Sequence, residues 1–203
     1  TLIGSQISLF GNSLNNTLNG NDANNILNGG AAGDIMIGGK GDDVYYADDT
    51  GDTVVEKSGE GYDAVYSSVD FTLQDTSVEK LVLTGASAIY EKGNGLNNVL
   101  VGNDADNIIN GDLGADTMSG GKGNDLYYVD DQGDVVQEDP SAGTDTVAAF
   151  INNHHLTANV ENLILVGDIA FENTPSPALV AYGNELNNLM TGNGHDNDLY
   201  GYA

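Results

Sequence analysis

The chain has 203 residues, with 31 Asp and Glu against five Lys and no Arg, and a formal net charge of −26. Nothing on such a surface could displace counterions from phosphates, so nucleic acid is excluded as a partner, an anionic membrane surface is disfavoured for the same reason, and the natural partner is a cation. The absence of Cys removes disulfides, thiolate metal sites and thiol nucleophiles together, and no apolar run approaches the ~18 residues a membrane span needs.

In chain order, TLIG at the start aligns with LVLTG (81–85) and LILVG (163–167), so residues 1–10 read as the end of a preceding repeat. From Gly11 a glycine opens a block every nine residues: GNSLNNTLN, GNDANNILN, GGAAGDIMI and GGKGDDVYY. The block ADDTGDTVV (47–55) keeps the register, after which the phase slips and Asp63 follows Asp52 by eleven residues. Short β-prone stretches come next, AVYSSVDFTL (64–73) and VEKLVLTG (78–85). The whole pattern restarts at Gly93, 82 residues after Gly11, with about half of the positions identical: GNGLNNVLV, GNDADNIIN, GDLGADTMS, GGKGNDLYY and VDDQGDVVQ, with Asp145 again eleven after Asp134. An insert near 170–180, holding Pro175 and Pro177, reads as a surface loop. Gly183 and Gly192 open a third set. The units expected are therefore 11–92, 93–182 and 183–203, a stack of small pieces each too short to bury a face alone. Both ends fall inside a unit, which points to a segment of a longer protein.

Each block divides into six turn residues and a three-residue strand. Gly, Asn and Asp in the turn tolerate positive φ and bond their own backbone. In the strand one residue points inward between two outward neighbours. The inward place is the eighth: Leu18, Leu27, Met36, Tyr45 and Val54, then Leu100, Ile109, Met118, Tyr127 and Val136, continued by Met190 and Leu199. Two blocks make a coil of eighteen residues with strands on two facing sheets. About eleven coils stacked ~4.8 Å apart give a rod on the order of 50 Å long. The fold expected is all-β, a parallel β-roll (β-solenoid) built from nonapeptide half-coils.

The sixth place carries the chemistry: Asn16, Asn25, Asp34, Asp43 and Asp52, then Asn98, Asn107, Asp116, Asp125 and Asp134. Stacked along one edge, these carboxylates repel unless a cation lies between them, and tight Gly turns aim backbone carbonyls at the same place. Carboxylate and carbonyl oxygens in a flexible cage suit Ca²⁺, whereas Mg²⁺ keeps its waters and Zn²⁺ wants His or Cys. Asp63 and Asp145 are further candidate ligands.

GGKGDDVYY (38–46) and GGKGNDLYY (120–128) fit every fixed position of GGxGxDxUx, and the sequence resembles the RTX, haemolysin-type calcium-binding nonapeptide repeat. GGAAGDIMI and GDLGADTMS match it more weakly, and the GN blocks carry Asn where the family carries Asp. The resemblance implies a roll that folds on binding calcium after bacterial type I secretion, hence an extracellular or cell-surface, monomeric tandem-repeat protein. It implies ions between the turns of alternate blocks, with Gly38, Gly39 and Gly41, and Gly120, Gly121 and Gly123, shaping the turns. Asp34 would close a site with the turn at 11–16, Asp43 with 20–25, and Asp116 and Asp125 with 93–98 and 102–107. A site of Kd ~10⁻⁴ M at ~1 mM calcium adds roughly 1.4 kcal/mol, so a largely disordered calcium-free chain is expected.

Blander readings stand beside these. The Asn-rich turns are either calcium turns or stacked Asn ladders. Tyr45 and Tyr127 are core residues, while Tyr46 and Tyr128 face outward and raise sugar stacking as an alternative. His154, His155 and His195 read as surface turns rather than metal ligands. Asp48, Asp49, Glu56 and Glu138 are either extra ligands or a solvated acidic face. No Ser–His–Asp pattern stands out. The reading is a non-enzymatic, calcium-folded structural segment of a secreted or surface protein. The alternatives are a module binding a neutral glycan or a cell surface, and an accessory region of a secreted enzyme or toxin.

Overall fold

A computed structural model of the chain describes residues 5–73, 76–87, 89–166 and 179–202. Strands of two to four residues alternate with turns, because each nonapeptide gives most of its length to the turn. The odd-numbered strands β1 (Ser8–Phe10), β3 (Ile26–Asn28), β5 (Val44–Ala47), β7 (Ala64–Ser67), β9 (Lys80–Leu83), β11 (Val99–Val101), β13 (Thr117–Ser119) and β15 (Val135–Val136) form one eight-stranded sheet in that order. The even-numbered strands β8 (Phe71–Thr72), β10 (Tyr90–Lys92), β12 (Ile108–Asn110), β14 (Leu126–Val129), β16 (Thr146–Ala149), β18 (Asn162–Leu165) and β20 (Leu189–Thr191) form a seven-stranded sheet. Two three-stranded sheets complete the walls, β2 (Thr17–Asn19) with β4 (Ile35–Ile37) and β6 (Thr53–Val55), and β17 (His154–His155) with β19 (Val180–Tyr182) and β21 (Asp198–Tyr200). Pairing is parallel, each strand lying beside the strand one coil away. This is the β-solenoid that the nine-residue spacing predicts.

The core is a single file of inward residues from each wall. Leu27, Met36, Tyr45, Leu100, Ile109, Met118 and Tyr127 are fully buried, as expected of the eighth position. Burying one such side chain contributes about 2 kcal/mol, so the roll rests on many small equal increments. Leu18 and Met190 are half-buried. Leu199, expected inward, is 37% exposed because β21 is the outermost strand of its sheet among the described residues.

The eight-stranded sheet runs without interruption across the 92/93 boundary, through β9 and β11. The 82-residue copy of β3 is β12, nine strands on, since 12 − 3 = 9. An odd count moves every copy to the opposite wall. The coils are not uniform: successive turn residues lie 18 apart from Asn25 to Asp43, 20 from Asp43 to Asp63 and 16 from Asp63 to Glu79. Near the long coil β6 and β8 part, leaving a cleft lined by Thr53, Val54, Phe71 and Thr72, and its copy lies between β15 and β17.

At this second break the sequence reading needs correction. His154 is buried, not a surface turn, and burial pushes its imidazole down to about 4. In the first unit Phe71 and Leu73 point inward, but in the second His154 and Leu156 do so. Asn153 in the left-handed region (φ 60°) absorbs the one-residue shift, and a shift of one exchanges the two faces of a strand. The insert expected near 170–180 lies almost wholly outside the described residues.

Candidate metal centre

The turn residue before each strand uses one carboxylate oxygen to tie its coil to the one before. The backbone N–H of Asn16 donates to Asp34 Oδ1 (2.6 Å), that of Asn25 to Asp43 Oδ1 (2.6 Å), that of Asn98 to Asp116 Oδ1 (2.7 Å) and that of Asn107 to Asp125 Oδ1 (2.7 Å). The ladders continue as Asp43 N–H donates to Asp63 Oδ1 and Asp125 N–H to Asp145 Oδ1. They end where Asp63 and Asp145 N–H donate to Glu79 and Glu161.

The second oxygen separates these residues into two groups. Oδ2 of Asp34, Asp43, Asp116, Asp125 and Asp145 is buried with no hydrogen-bond partner. Each of these side chains is at most 1% exposed. An unpaired buried carboxylate oxygen costs on the order of 1–3 kcal/mol or more, and its fivefold recurrence points to an external positive charge. Asp52 and Asp134 differ. Their Oδ1 takes the N–H of Asp34 and Asp116, and their Oδ2 caps the backbone of Asp48 with Asp49, and of Asp130 with Asp131.

The glycines shape the pocket around the orphaned oxygens. A Cβ on Gly38 would fall on Asp43 Oδ2 and the Tyr45 hydroxyl, and one on Gly120 on Asp125 Oδ2 and the Tyr127 hydroxyl. Gly39 and Gly41 bend the chain with φ of 98° and 105°, as Gly121 and Gly123 do with 96° and 119°, values that L side chains rarely adopt.

The Asn turns close on themselves. Oδ1 of Asn16, Asn25, Asn98 and Asn107 accepts the N–H of the residue four earlier in its own block, at 2.7–2.8 Å. Asn25 and Asn107 also donate to Asn21 and Asn103. These bonds run within a block, and where an amide crosses to the next coil, as Asn98 Nδ2 does to the carbonyl of Val78 (3.1 Å), it reaches backbone rather than another Asn side chain.

Three glutamates need the fold to place them. Glu56 and Glu138 do not belong to a solvated face. Glu56 is 6% exposed, Glu138 is half-buried, and each accepts a hydrogen bond from the buried hydroxyl of Tyr45 or Tyr127. Asp43, Glu56 and Asp63 each bring one carboxylate oxygen within 4.8 Å of the others, and Asp125, Glu138 and Asp145 repeat the group. Their shared 82-residue offset was the signal available in the sequence. Burial pushes Asp43, Asp63 and Asp125 up to about 6, and Glu56, Glu138 and Asp116 up to about 7, with neighbouring carboxylates adding to the rise. Glu91 stands apart. It is fully buried in β10 with both oxygens unpartnered, and burial raises it well above the ordinary range, so it is held as the neutral acid. Its 82-residue counterpart is Leu9, so nothing in the repeat announced it.

The donors are oxygens throughout, buried, several per site and carboxylate-rich. That set suits Ca²⁺ and lacks the nitrogen or sulfur that Zn²⁺ prefers. The family model for the RTX calcium-binding nonapeptide repeat (4 copies) matches residues 10–45 and 92–127, the segments that carry these turns. The chain carries RTX repeats. Among curated proteins it is similar to Endo-1,3-1,4-beta-glycanase ExsH of Rhizobium meliloti (strain 1021), 32% identical over 113 residues, 55% of this chain and 22% of that protein. It is also similar to Endo-1,3-1,4-beta-glycanase EglC of the same organism, 30% identical over 122 residues, 60% of this chain and 24% of that protein. The matched part of this chain thus spans less than a quarter of either relative. Among the described residues no helix is long and apolar enough to cross a membrane.

Proposed function

We propose that this chain is the calcium-ordered accessory region of a secreted polysaccharide-acting protein, with the cutting chemistry elsewhere in that protein. The observation that carries the calcium part is the repeated orphaned oxygen: five carboxylates, each with one oxygen fixed by backbone and the other buried without a partner. Asp34, Asp43, Asp116 and Asp125 would hold the ions, with Asp63 and Asp145 completing two of the sites. The ions supply the positive charge that the five Lys do not. Asn16, Asn25, Asn98 and Asn107 serve as turn locks in this reading. The accessory role draws on the likeness to two β-glycanases.

The outward aromatics favour a scaffold over a sugar platform. Tyr46 stacks on Tyr66, Tyr128 on Phe150, and His155, Tyr182 and Tyr200 form a file with centroids 4.2 and 5.1 Å apart. Rings stacked along the roll cover one another's faces and present edges to solvent, whereas sugar stacking needs a face.

Far-ultraviolet circular dichroism of the chain, titrated with calcium after chelation, tests the reading. A cooperative gain of β-structure near millimolar calcium, with no release of reducing sugar from mixed-linkage β-glucan by the folded chain, is expected. Equal structure in excess chelator would overturn the calcium part, and sugar release the accessory part.

A further inference from the structure

The two Asp–Glu–Asp groups differ from the remaining repeat turns. Each draws two of its three carboxylates from outside the matched repeats: Glu56 and Asp63 follow residue 45, and Glu138 and Asp145 follow residue 127. Asp43 ends the turn before β5, Glu56 leaves β6, and Asp63 precedes β7. Glu56, more than nine-tenths buried, turns a carboxylate oxygen into the group and has an unpartnered Oε2, and Asp43 does likewise with an unpartnered Oδ2. Glu56 Oε1 is already held by the Tyr45 hydroxyl, so the orphaned oxygen is oriented rather than free to swing. Among the described residues no lysine forms an ion pair with the group. Lys57, the next residue, reaches Glu60 at the surface instead, at 3.8 Å. Glu138, Asp145 and the Tyr127 hydroxyl repeat the arrangement on the opposite wall.

Both groups sit where regular stacking fails. The 20-residue coil runs between the two aspartates of one group and β6 parts from β8 beside it, and the matching coil and the parting of β15 from β17 attend the other. We infer that Asp43–Glu56–Asp63 and Asp125–Glu138–Asp145 are two dedicated calcium clamps, each fastening the strand that ends a regular stack to the lengthened coil beyond it, with a core tyrosine hydroxyl on the wall of the site. This rests on the reading that the turns are calcium-ordered. Three carboxylates against a divalent ion leave an excess negative charge, so the clamps should favour a trivalent ion of similar size and oxygen preference over calcium.

Terbium is that probe, and the chain has no Trp, so emission excited near 280 nm must come through tyrosine. In the wild-type chain, tyrosine-sensitised terbium emission that calcium displaces is expected. Glu56→Gln combined with Glu138→Gln should abolish most of that emission and lower bound calcium, measured by equilibrium dialysis, by one ion per Glu replaced, while the calcium-induced gain of β-structure survives. Tyr45→Phe with Tyr127→Phe should dim the emission with the ion count unchanged. Should the double Glu variant fail to fold, each single variant must still lose one ion and part of the emission. Unchanged ion count and emission in the Glu variants, with calcium-induced folding intact, overturns the clamps and leaves the repeat turns standing. A wild-type chain that neither folds with calcium nor binds terbium overturns both.

Discussion

Two aspartates that occupy the same sixth place do opposite work, and the difference lies in one oxygen. Asp43 gives Oδ1 to a backbone N–H and leaves Oδ2 bare, whereas Asp52 gives both oxygens to backbone N–H groups. Asparagine keeps an acceptor for the first bond and replaces the second oxygen with a donor. Asp43→Asn, and likewise Asp125→Asn, therefore removes a buried unpaired charge when calcium is absent and a ligand when it is present. The expected outcome is a change of sign: more residual structure in chelator, and an apparent calcium affinity about tenfold or more weaker, because ligand charge sets the range of calcium sites. Asp52→Asn sets a donor against the N–H groups of Asp48 and Asp49, and should destabilise the fold in either condition by about 1–3 kcal/mol. Thermal melts in chelator and in calcium separate the two cases. Equal effects of the two substitutions in chelator would contradict the assignment of roles.

Coils add to one another because each touches only its neighbours along the roll. One coil is two blocks, and the 18-residue spacing of the ladders fixes its length. Removing Gly20–Ile37 takes out Asn25 and Asp34 but sets β1 against β5, with Leu9 over Tyr45 and the Asp43–Asp63 rung kept, so calcium-induced β-structure should persist. Removing only Gly20–Asn24 leaves the strands after it out of phase with their neighbours, and should abolish cooperative folding of that end by circular dichroism. If both deletions fold equally well, the coil is not the unit. This periodicity is why so much was legible in the sequence. Nine residues between glycines fixed the strands, their inward residues and the place of Asp34, Asp43, Asp116 and Asp125, since a repeat leaves each unit no freedom to differ. Glu56 and Glu138 were legible only as acids that either ligate or face solvent, because they belong to coils whose spacing slips and only the fold brings them back beside Asp43 and Asp125. The His154 shift was hidden because the 82-residue offset is restored by Val160, the counterpart of Val78, so a constant-offset alignment passes over an exchange of faces confined to one short strand. Glu91 was hidden because it replaces an apolar residue in an otherwise apolar file.

At the scale of the whole molecule, protons and calcium compete for the same buried oxygens. Asp43, Asp63 and Asp125 are raised to about 6 and Glu56, Glu138 and Asp116 to about 7 by burial, while the unfolded chain titrates near its ordinary values of about 4. Between these limits the folded chain binds more protons than the unfolded one, so its stability without calcium falls as pH rises. That contribution is complete below the unfolded values and is lost as pH passes through about 6 to 7. The net charge of −26 pushes in the same direction, since self-repulsion grows as the carboxyls ionise. In chelator, acidifying from about pH 7.5 to about pH 5 should therefore increase β-structure. In calcium the same change should raise the ion concentration that fills half of the sites, measured by equilibrium dialysis, because the ligands of the folded chain must shed protons to bind. The two titrations thus move in opposite directions from one cause. A half-saturation concentration that stays constant over this range would mean that the raised carboxyls are not the ligands, even if the chain folds on calcium.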